Sequence, residues 1–83
     1  MQIKLDSATR SAERIGETVR SSRTSLGLRQ DELALAAGVS TRAVHQIEHG
    51  KPTSRLDSIA PILDVLGLEL IASDRKRPAA KSE

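Results

Sequence analysis

The polar side chains most suited to recognising a ligand lie close together in one part of the chain. Thr41, Arg42 and Gln46 share a helical face that carries no aliphatic residue. Arginine can donate two hydrogen bonds to the edge of guanine, and glutamine can pair with adenine. Gln30, at the start of a helical pattern, can donate to a phosphate together with nearby backbone N–H groups. These residue types and spacings favour recognition of a nucleic acid.

A second chemistry is offered by His45, Glu48 and His49. Two imidazoles four residues apart on a helix can in principle hold a metal ion. However, the chain contains no cysteine, and the spacing supplies neither a third ligand nor a nucleophile with its base. We therefore expect no metal, no cofactor and no enzymatic activity.

Length and composition limit what the chain can bury. Its 83 residues suffice for one small domain, and they include no Phe, Tyr or Trp. The core must therefore be aliphatic and marginal in size, so a second subunit is expected to extend it. The net charge is only +2, but most of the 13 cationic residues are arginine, which suits phosphate and guanine. No signal peptide or long apolar run is visible, which predicts a cytoplasmic protein without membrane contact.

Apolar residues recur at helical spacing in four segments separated by glycine-containing turns. The first stripe consists of Ile15, Val19 and Leu26, and the arginines among them, Arg23 included, are expected to face elsewhere. The predicted helices are Ala12–Leu26, Gln30–Ala37, Thr41–His49 and about Arg55–Leu66. The predicted buried positions are Ile15, Val19, Leu26, Leu33, Ala36, Ala37, Val44, Ile47, Leu56, Ile59, Ile62 or Leu63, and Leu66.

Capping residues mark the starts of the third and fourth helices, and a proline interrupts the pattern of the fourth. Ser40 is a good N-cap for the third helix. Ser54 and Asp57 resemble a capping box at the start of the fourth. Pro61 lies inside that helix, where it removes a hydrogen bond, so we expect either a kink or a later start of the regular part.

Two segments outside the helices have the composition of strands. Met1–Asp6 alternates polar and apolar residues, although a frayed terminus explains it equally simply. Leu68–Ala72 needs a pairing strand, either Met1–Asp6 of the same chain or its own equivalent in a second subunit. The predicted organisation is an N-terminal segment at 1–10, a helical domain at 11–67, a strand at 68–73 and a disordered basic tail at 74–83.

The second and third helices, joined by a glycine turn, have the layout of a helix-turn-helix, whose second helix enters the major groove of DNA. We therefore predict a mainly α fold that binds DNA through this unit. The residues predicted to contact bases are Ser40, Thr41, Arg42 and Gln46. Those predicted to contact the DNA backbone are Gln30, His45, Lys51, Thr53 and Arg55.

Eleven positions of this unit form an ordered motif. They are Gly27, Leu28, Gln30, Leu33, Ala34, Gly38, Val39, Ser40, Ile47, Glu48 and Gly50. With this motif the segment resembles the Cro/C1-type (XRE) helix-turn-helix family, which implies a compact four-helix, lambda-repressor-like domain that binds double-stranded DNA. Arg29 stands where Thr or Ser is usual in that family, which would add a further contact to the DNA backbone.

The next stretch runs Gly-Lys-Pro-Thr, then a Leu-Asp helix, then Leu-Gly-Leu-Glu-Leu. It resembles HipB-type antitoxins, whose final strand pairs across a homodimer, and this implies that Leu68, Leu70 and Ile71 form the dimer contact. The resemblance also implies a repressor that binds a palindromic operator of its own operon and neutralises a HipA-type Ser/Thr kinase toxin. The alternative is a stand-alone or phage-type XRE regulator without a toxin partner.

Overall fold

Four amphipathic helices, joined by turns that contain glycine, form the part of the chain that the computed structural model describes, residues 7–71. They are α1 (Ser7–Ser25), α2 (Gln30–Ala37), α3 (Thr41–Glu48) and α4 (Leu56–Leu66). The helices α2 and α3 pack against each other, and α1 and α4 enclose them. The predicted four-helix, mainly α architecture is therefore confirmed.

The first helix starts earlier than predicted, at Ser7 rather than Ala12. Its apolar stripe extends towards the N-terminus, because Ala8, Ala12 and Ile15 all line a cleft against α3 and α4. Spacings of four and three residues place these side chains on one helical face. The helix therefore includes residues 7–11, which lie before the predicted start.

The core is aliphatic throughout and draws on every helix. Its buried members are Val19, Leu33, Ala34, Val44, Ile47, Ile59, Ile62, Leu63 and Leu66. Three predicted core positions are wrong: Leu26 and Leu56 are 58% and 64% exposed, and Ala36 is exposed as well. Leu26 follows the last residue of α1 and Leu56 is the first residue of α4, so neither lies on the packed part of its helix. In α2 the buried face is formed by Leu33 and Ala34 instead.

A glycine allows α1 to approach the end of α3 very closely. Gly16 is buried, and a Cβ atom added there would overlap the carbonyl oxygen of Ile47 and lie 2.9 Å from that of Glu48. Any larger residue would have to push the two helices apart. Gly16 therefore fixes how deeply the C-terminal end of α3 sits against α1.

The start of α4 is capped differently from the prediction. Arg55 is the N-cap residue and makes no side-chain capping bond. The hydroxyl of Ser54 donates to the carbonyl of Lys51 instead, and Asp57 pairs with Arg55, so the predicted capping box is wrong. The helix begins at Leu56 and is continuous through Pro61. Of the two alternatives predicted for Pro61, a later start of the regular part is not seen, and a kink stays a prediction.

Residues beyond α4 have no regular secondary structure as far as Ile71. The N–H of Leu68 donates to the carbonyl of Leu63 at 2.8 Å, and Leu68 packs against the core. Leu70 and Ile71 are 52% and 69% exposed. The predicted strand is thus not formed between residues 68 and 71 of this single chain. The described residues do not include 72–83, which hold the last residues of this predicted strand and the predicted tail. They also do not include the predicted strand Met1–Asp6.

No helix within residues 7–71 combines the length and the apolar character needed to cross a membrane.

Candidate nucleic-acid interface

The turn between α2 and α3 is defined by a glycine in the left-handed conformation. Gly38 has φ 72° and ψ 30°, which a residue with a Cβ rarely adopts. The N–H of Val39 donates to the carbonyl of Ala34 at 3.0 Å, closing the end of α2. This tight turn leaves only three residues between the end of α2 and the start of α3.

The start of α3 is fixed by Ser40. Its side-chain oxygen accepts a hydrogen bond from the N–H of Ala43 at 3.0 Å, which confirms the predicted N-cap. The hydroxyl hydrogen of Ser40 remains available to donate to a ligand. Thr41 and Arg42 follow in the first turn and are exposed. Within residues 7–71 the Arg42 guanidinium makes no hydrogen bond or ion pair, so its five donors are free for an external acceptor.

A cleft beside α3 brings four of the predicted site residues together. It measures about 180 Å³ and lies between α3, the α3–α4 loop and the first turn of α4. Its lining includes Gln46, Lys51, Thr53 and Arg55. The predicted base-reading residue Gln46 therefore lies next to three residues predicted to contact the DNA backbone.

Two of the predicted backbone contacts are cations that already have acidic neighbours. The Arg29 guanidinium lies 3.0 Å from Asp31 Oδ1 and 3.4 Å from Glu32, and its hydrogen bond to Asp31 raises the pKa of Arg29 and lowers that of Asp31. The Arg55 guanidinium lies 3.0 Å from Asp57. All of these pairs are exposed, and exposed ion pairs contribute little to stability because water screens them. Either arginine can therefore leave its carboxylate for a stronger acceptor such as a phosphate.

A buried ion pair between α1 and α3, joined by a side chain from α2, lies behind this surface. Arg23 of α1 donates from Nε to Glu48 Oε2 at 2.6 Å and from Nη2 to Oε1 at 2.9 Å. Its Nη1 donates to the carbonyl of Leu28 at 2.8 Å. Gln30, the first residue of α2, donates to the same Glu48 Oε1 at 3.1 Å. The side chains of Arg23 and Glu48 are only 12% and 2% exposed.

The electrostatics of this network keep both partners charged. Burial by itself would raise the pKa of Glu48, but the hydrogen bonds from Arg23 and Gln30 hold that pKa below its usual range. The hydrogen bond to Glu48 raises the pKa of Arg23 despite its partial burial. All three guanidinium nitrogens of Arg23 and both carboxylate oxygens of Glu48 then take part in charge-assisted hydrogen bonds, which is the arrangement that a buried charge requires.

This network changes the interpretation of three residues. Arg23 was predicted to face away from the core and instead points inward. Glu48 was considered as part of a metal or catalytic group with the two histidines, but both oxygens of its carboxylate are bound by Arg23 and Gln30. Gln30 uses one amide hydrogen on Glu48, which leaves its second amide hydrogen and its carbonyl oxygen for another partner.

Sequence reasoning missed Arg23 although the spacing contained a signal. Arg23 lies four residues after Val19 and therefore on the buried face of α1. Glu48 likewise lies four residues after the buried Val44. A cation and an anion can therefore each occupy a position where the spacing predicts an apolar residue, on two different helices. Such a combination indicates a buried ion pair, although neither helix alone reveals it.

The remaining predicted site residue, His45, is exposed on α3, where its ring stacks on that of His49. Two short helices with a tight glycine turn, a capped second helix and an exposed polar face on that helix define the class: this is a helix-turn-helix domain. A helix-turn-helix family model, HTH_3, matches residues 19–71, well over half of the chain. The chain belongs to this family, of the XRE type.

One relative is similar over most of both chains. It is a protein of Sinorhizobium fredii (strain NBRC 101917 / NGR234) named as the uncharacterized HTH-type transcriptional regulator y4mF. The two are 40% identical over 65 residues, which cover 76% of this chain and 86% of that protein.

Proposed function

We propose that this protein is a sequence-specific DNA-binding transcriptional repressor that acts as a homodimer on a palindromic operator. The observation that carries the proposal is the surface formed by α3 and the cleft beside it. There Arg42, which has no partner among residues 7–71, is followed by Gln46, Lys51, Thr53 and Arg55. Family membership and a relative named as a transcriptional regulator support it.

The proposed base contacts are made by the N-terminal half of α3. Arg42 forks onto O6 and N7 of a guanine, and Gln46, one turn later, pairs with adenine. Ser40 and Thr41 donate from their hydroxyls near the same groove edge. Because these residues begin a helix whose start is fixed by a cap, their spacing along the DNA is set before binding.

The proposed backbone contacts surround that helix on both sides. Gln30 donates its second amide hydrogen to a phosphate, held in place by Glu48. Lys51 and Thr53 contact the flanking strand beyond the end of α3. Three more side chains complete the set of proposed backbone contacts. Arg29 and Arg55 must first leave their carboxylate partners, and His45 contributes an imidazole from α3.

The test separates base reading from phosphate binding. Fluorescence anisotropy is measured over a range of salt concentrations with a duplex selected for tight binding and with a scrambled duplex. Arg42→Ala is expected to lower affinity for the selected duplex by about 1–3 kcal/mol and to leave the scrambled duplex unaffected, because a base contact is lost. Lys51→Ala is expected to weaken both duplexes alike and to reduce the salt slope by about 1. Equal binding of both duplexes by the wild type contradicts sequence-specific binding.

The proposed dimer contact consists of Leu68, Leu70 and Ile71. In the single chain Leu70 and Ile71 are exposed next to each other in a segment without regular structure, so its backbone groups can pair with the same segment of a second subunit as a strand. Sedimentation analysis of an L70K/I71K variant is expected to show a monomer. Leu35→Lys is the matched control, because Leu35 is 84% exposed on α2 and lies outside the proposed contact. A dimer in the first variant contradicts the assignment.

The finer proposal is that this repressor is the antitoxin of a HipBA-like type II toxin–antitoxin pair and neutralises a HipA-type Ser/Thr kinase. The sequence from the α3–α4 loop to the end of the proposed strand supports it through its resemblance to HipB-type antitoxins. Affinity purification of the tagged protein from its native host is expected to recover a kinase. Recovery of operator DNA without a kinase would instead support a stand-alone or phage-type regulator.

A further inference from the structure

A second cleft, here called the α1 cleft, lies between the N-terminal half of α1, the end of α3, the α3–α4 loop and α4. It measures about 190 Å³, and most of the residues that line it are apolar. These apolar residues are Ala8, Ala12, Ile15, Ile47, Pro52 and Ile59. Ile47 and Ile59 belong to the core, whereas Ile15 is only half-buried and Ala8 and Pro52 are exposed. Within residues 7–71 the α1 cleft is therefore an apolar wall that is open to solvent.

The volume of the α1 cleft indicates what can fill it. Pockets for drug-sized ligands measure about 300–1,000 Å³, which is more than this cleft offers. A cavity of about 150 Å³ holds a group of the size of benzene, so the α1 cleft can take roughly one or two aliphatic side chains. Its size and lining therefore fit apolar side chains of a polypeptide better than a drug-sized ligand.

The segment directly before α1 carries two such side chains, Ile3 and Leu5. Ala8, which lines the cleft, lies three residues after Leu5 and five after Ile3. An extended chain spans at most about 3.3–3.6 Å per residue, so Leu5 can lie up to about 10 Å from Ala8, and Ile3 up to about 17 Å. The stretch of α1 from Ala8 to Ile15 is about 10 Å long, at 1.5 Å per residue. Both side chains can therefore reach the α1 cleft of their own chain.

We propose that Ile3 and Leu5 pack into the α1 cleft, so that the segment before α1 turns back along its own helix and covers the apolar wall. The proposed dimer contact pairs residues 68–71 with a second subunit and so does not require residues 1–6 as a pairing strand. Lys51 and Ser54 line both the α1 cleft and the cleft beside α3. The packed segment therefore also supports the loop that carries Lys51.

The direct test is nuclear Overhauser spectroscopy on the full chain with isotope-labelled Ile and Leu methyl groups. Contacts are expected from the methyl groups of Ile3 and Leu5 to those of Ile47 and Ile59. The sample contains labelled and unlabelled chains in equal amounts, and isotope-filtered spectra distinguish contacts within one chain from contacts between two chains. The expected contacts lie within one chain.

Three outcomes of this experiment would overturn the proposal. Contacts to the α1 cleft that occur only between chains would assign it to the segment of a second subunit. Contacts from Leu5 to Leu70 or Ile71 would show that the segment pairs with residues 68–72 instead. The absence of any contact between Ile3 or Leu5 and the α1 cleft would leave the cleft without the proposed occupant.

Thermal unfolding at constant protein concentration gives an independent readout. An I3S/L5S variant removes both apolar side chains and is expected to lower the Tm by about 5–10 °C. Q2S/K4S is the matched control, because it changes the alternate positions of the same segment, whose side chains point the other way in an extended chain. Its Tm is expected to stay within about 2 °C of the wild type. An equal shift in both variants, or no shift in I3S/L5S, would overturn the proposal. Neither measurement involves DNA, so this proposal and the proposed function can fail separately.

Discussion

The buried Arg23–Glu48 pair offers the sharpest test of how the DNA-facing helices are held. A Glu48→Ala substitution removes the acceptor of three hydrogen bonds, two from Arg23 and one from Gln30. Arg23 would keep only its bond to the carbonyl of Leu28, although its side chain is just 12% exposed. Breaking a buried pair in this way typically costs about 3–5 kcal/mol.

That loss is large for a domain whose total stability is on the order of 5–10 kcal/mol. The reciprocal substitution, Arg23→Met, leaves Glu48 as an uncompensated buried carboxylate and is expected to cost a similar amount. The double variant R23M/E48L replaces the pair by apolar side chains, which is often neutral or stabilising for buried pairs. We therefore expect the double variant to lose at least about 2 kcal/mol less than the sum of the single variants.

Urea unfolding followed by far-ultraviolet circular dichroism provides the measurement, because the chain has no tryptophan or tyrosine to serve as a fluorescent probe. Protein concentration is held constant, since dimerisation would make the free energy of unfolding depend on it. Asp31→Ala is the matched control, because it breaks the Arg29–Asp31 pair, whose side chains are 71% and 60% exposed. This substitution is expected to change the free energy of unfolding much less than Glu48→Ala, because water screens an exposed pair. The reasoning is refuted if Glu48→Ala costs no more than this control, or if the double variant is additive.

Three further predictions follow from the same structure. Gly16→Ala is expected to destabilise the fold by about 2 kcal/mol, because the new methyl group overlaps the Ile47 carbonyl; thermal unfolding checks this, and a stability equal to the wild type would show that α1 can move away without cost. Ser40→Ala removes the N-cap of α3 and is expected to cost about 1 kcal/mol in urea unfolding, whereas no loss would mean that the cap is dispensable. The pKa of Glu48 is lower in the folded chain than its usual value of 4.5, so the carboxylate stabilises the fold above pH 4.5 and this contribution is lost as the pH falls through the lowered pKa; unfolding at a series of acidic pH values should show a shallower loss in Glu48→Gln, and parallel profiles would contradict this.

The sequence was sufficient for the helices and the turn because local signals specify them. Gly38 requires a left-handed turn and Ser40 provides a cap, so both could be identified without any tertiary information. Apolar spacing located most of the core, including Val19, Leu33 and Val44. It failed at helix ends, as for Leu56, where spacing still matches but the residue no longer lies between packed helices.

The buried ion pair could not be predicted from either of its segments. Arg23 and Glu48 are separated by 25 residues, and each looks like an ordinary solvated charge in its own helix. Their pairing depends on how α1 crosses α3, which in turn depends on the absence of a side chain at Gly16. The strand predicted at 68–73 raises the same difficulty, because its hydrogen-bonding partner is proposed to lie in another subunit.

The central claim is that α3 reads DNA sequence from both halves of a symmetric dimer. Selection of bound duplexes from a random pool tests this most directly, with the wild type and Arg42→Ala compared side by side. We expect an enriched inverted repeat whose half-sites lie about 34 Å apart, one turn of DNA. Arg42→Ala should lose one guanine from each half-site while the rest of the motif is retained. A pool without an enriched motif, or a motif without two-fold symmetry that Arg42→Ala leaves unchanged, would contradict the claim.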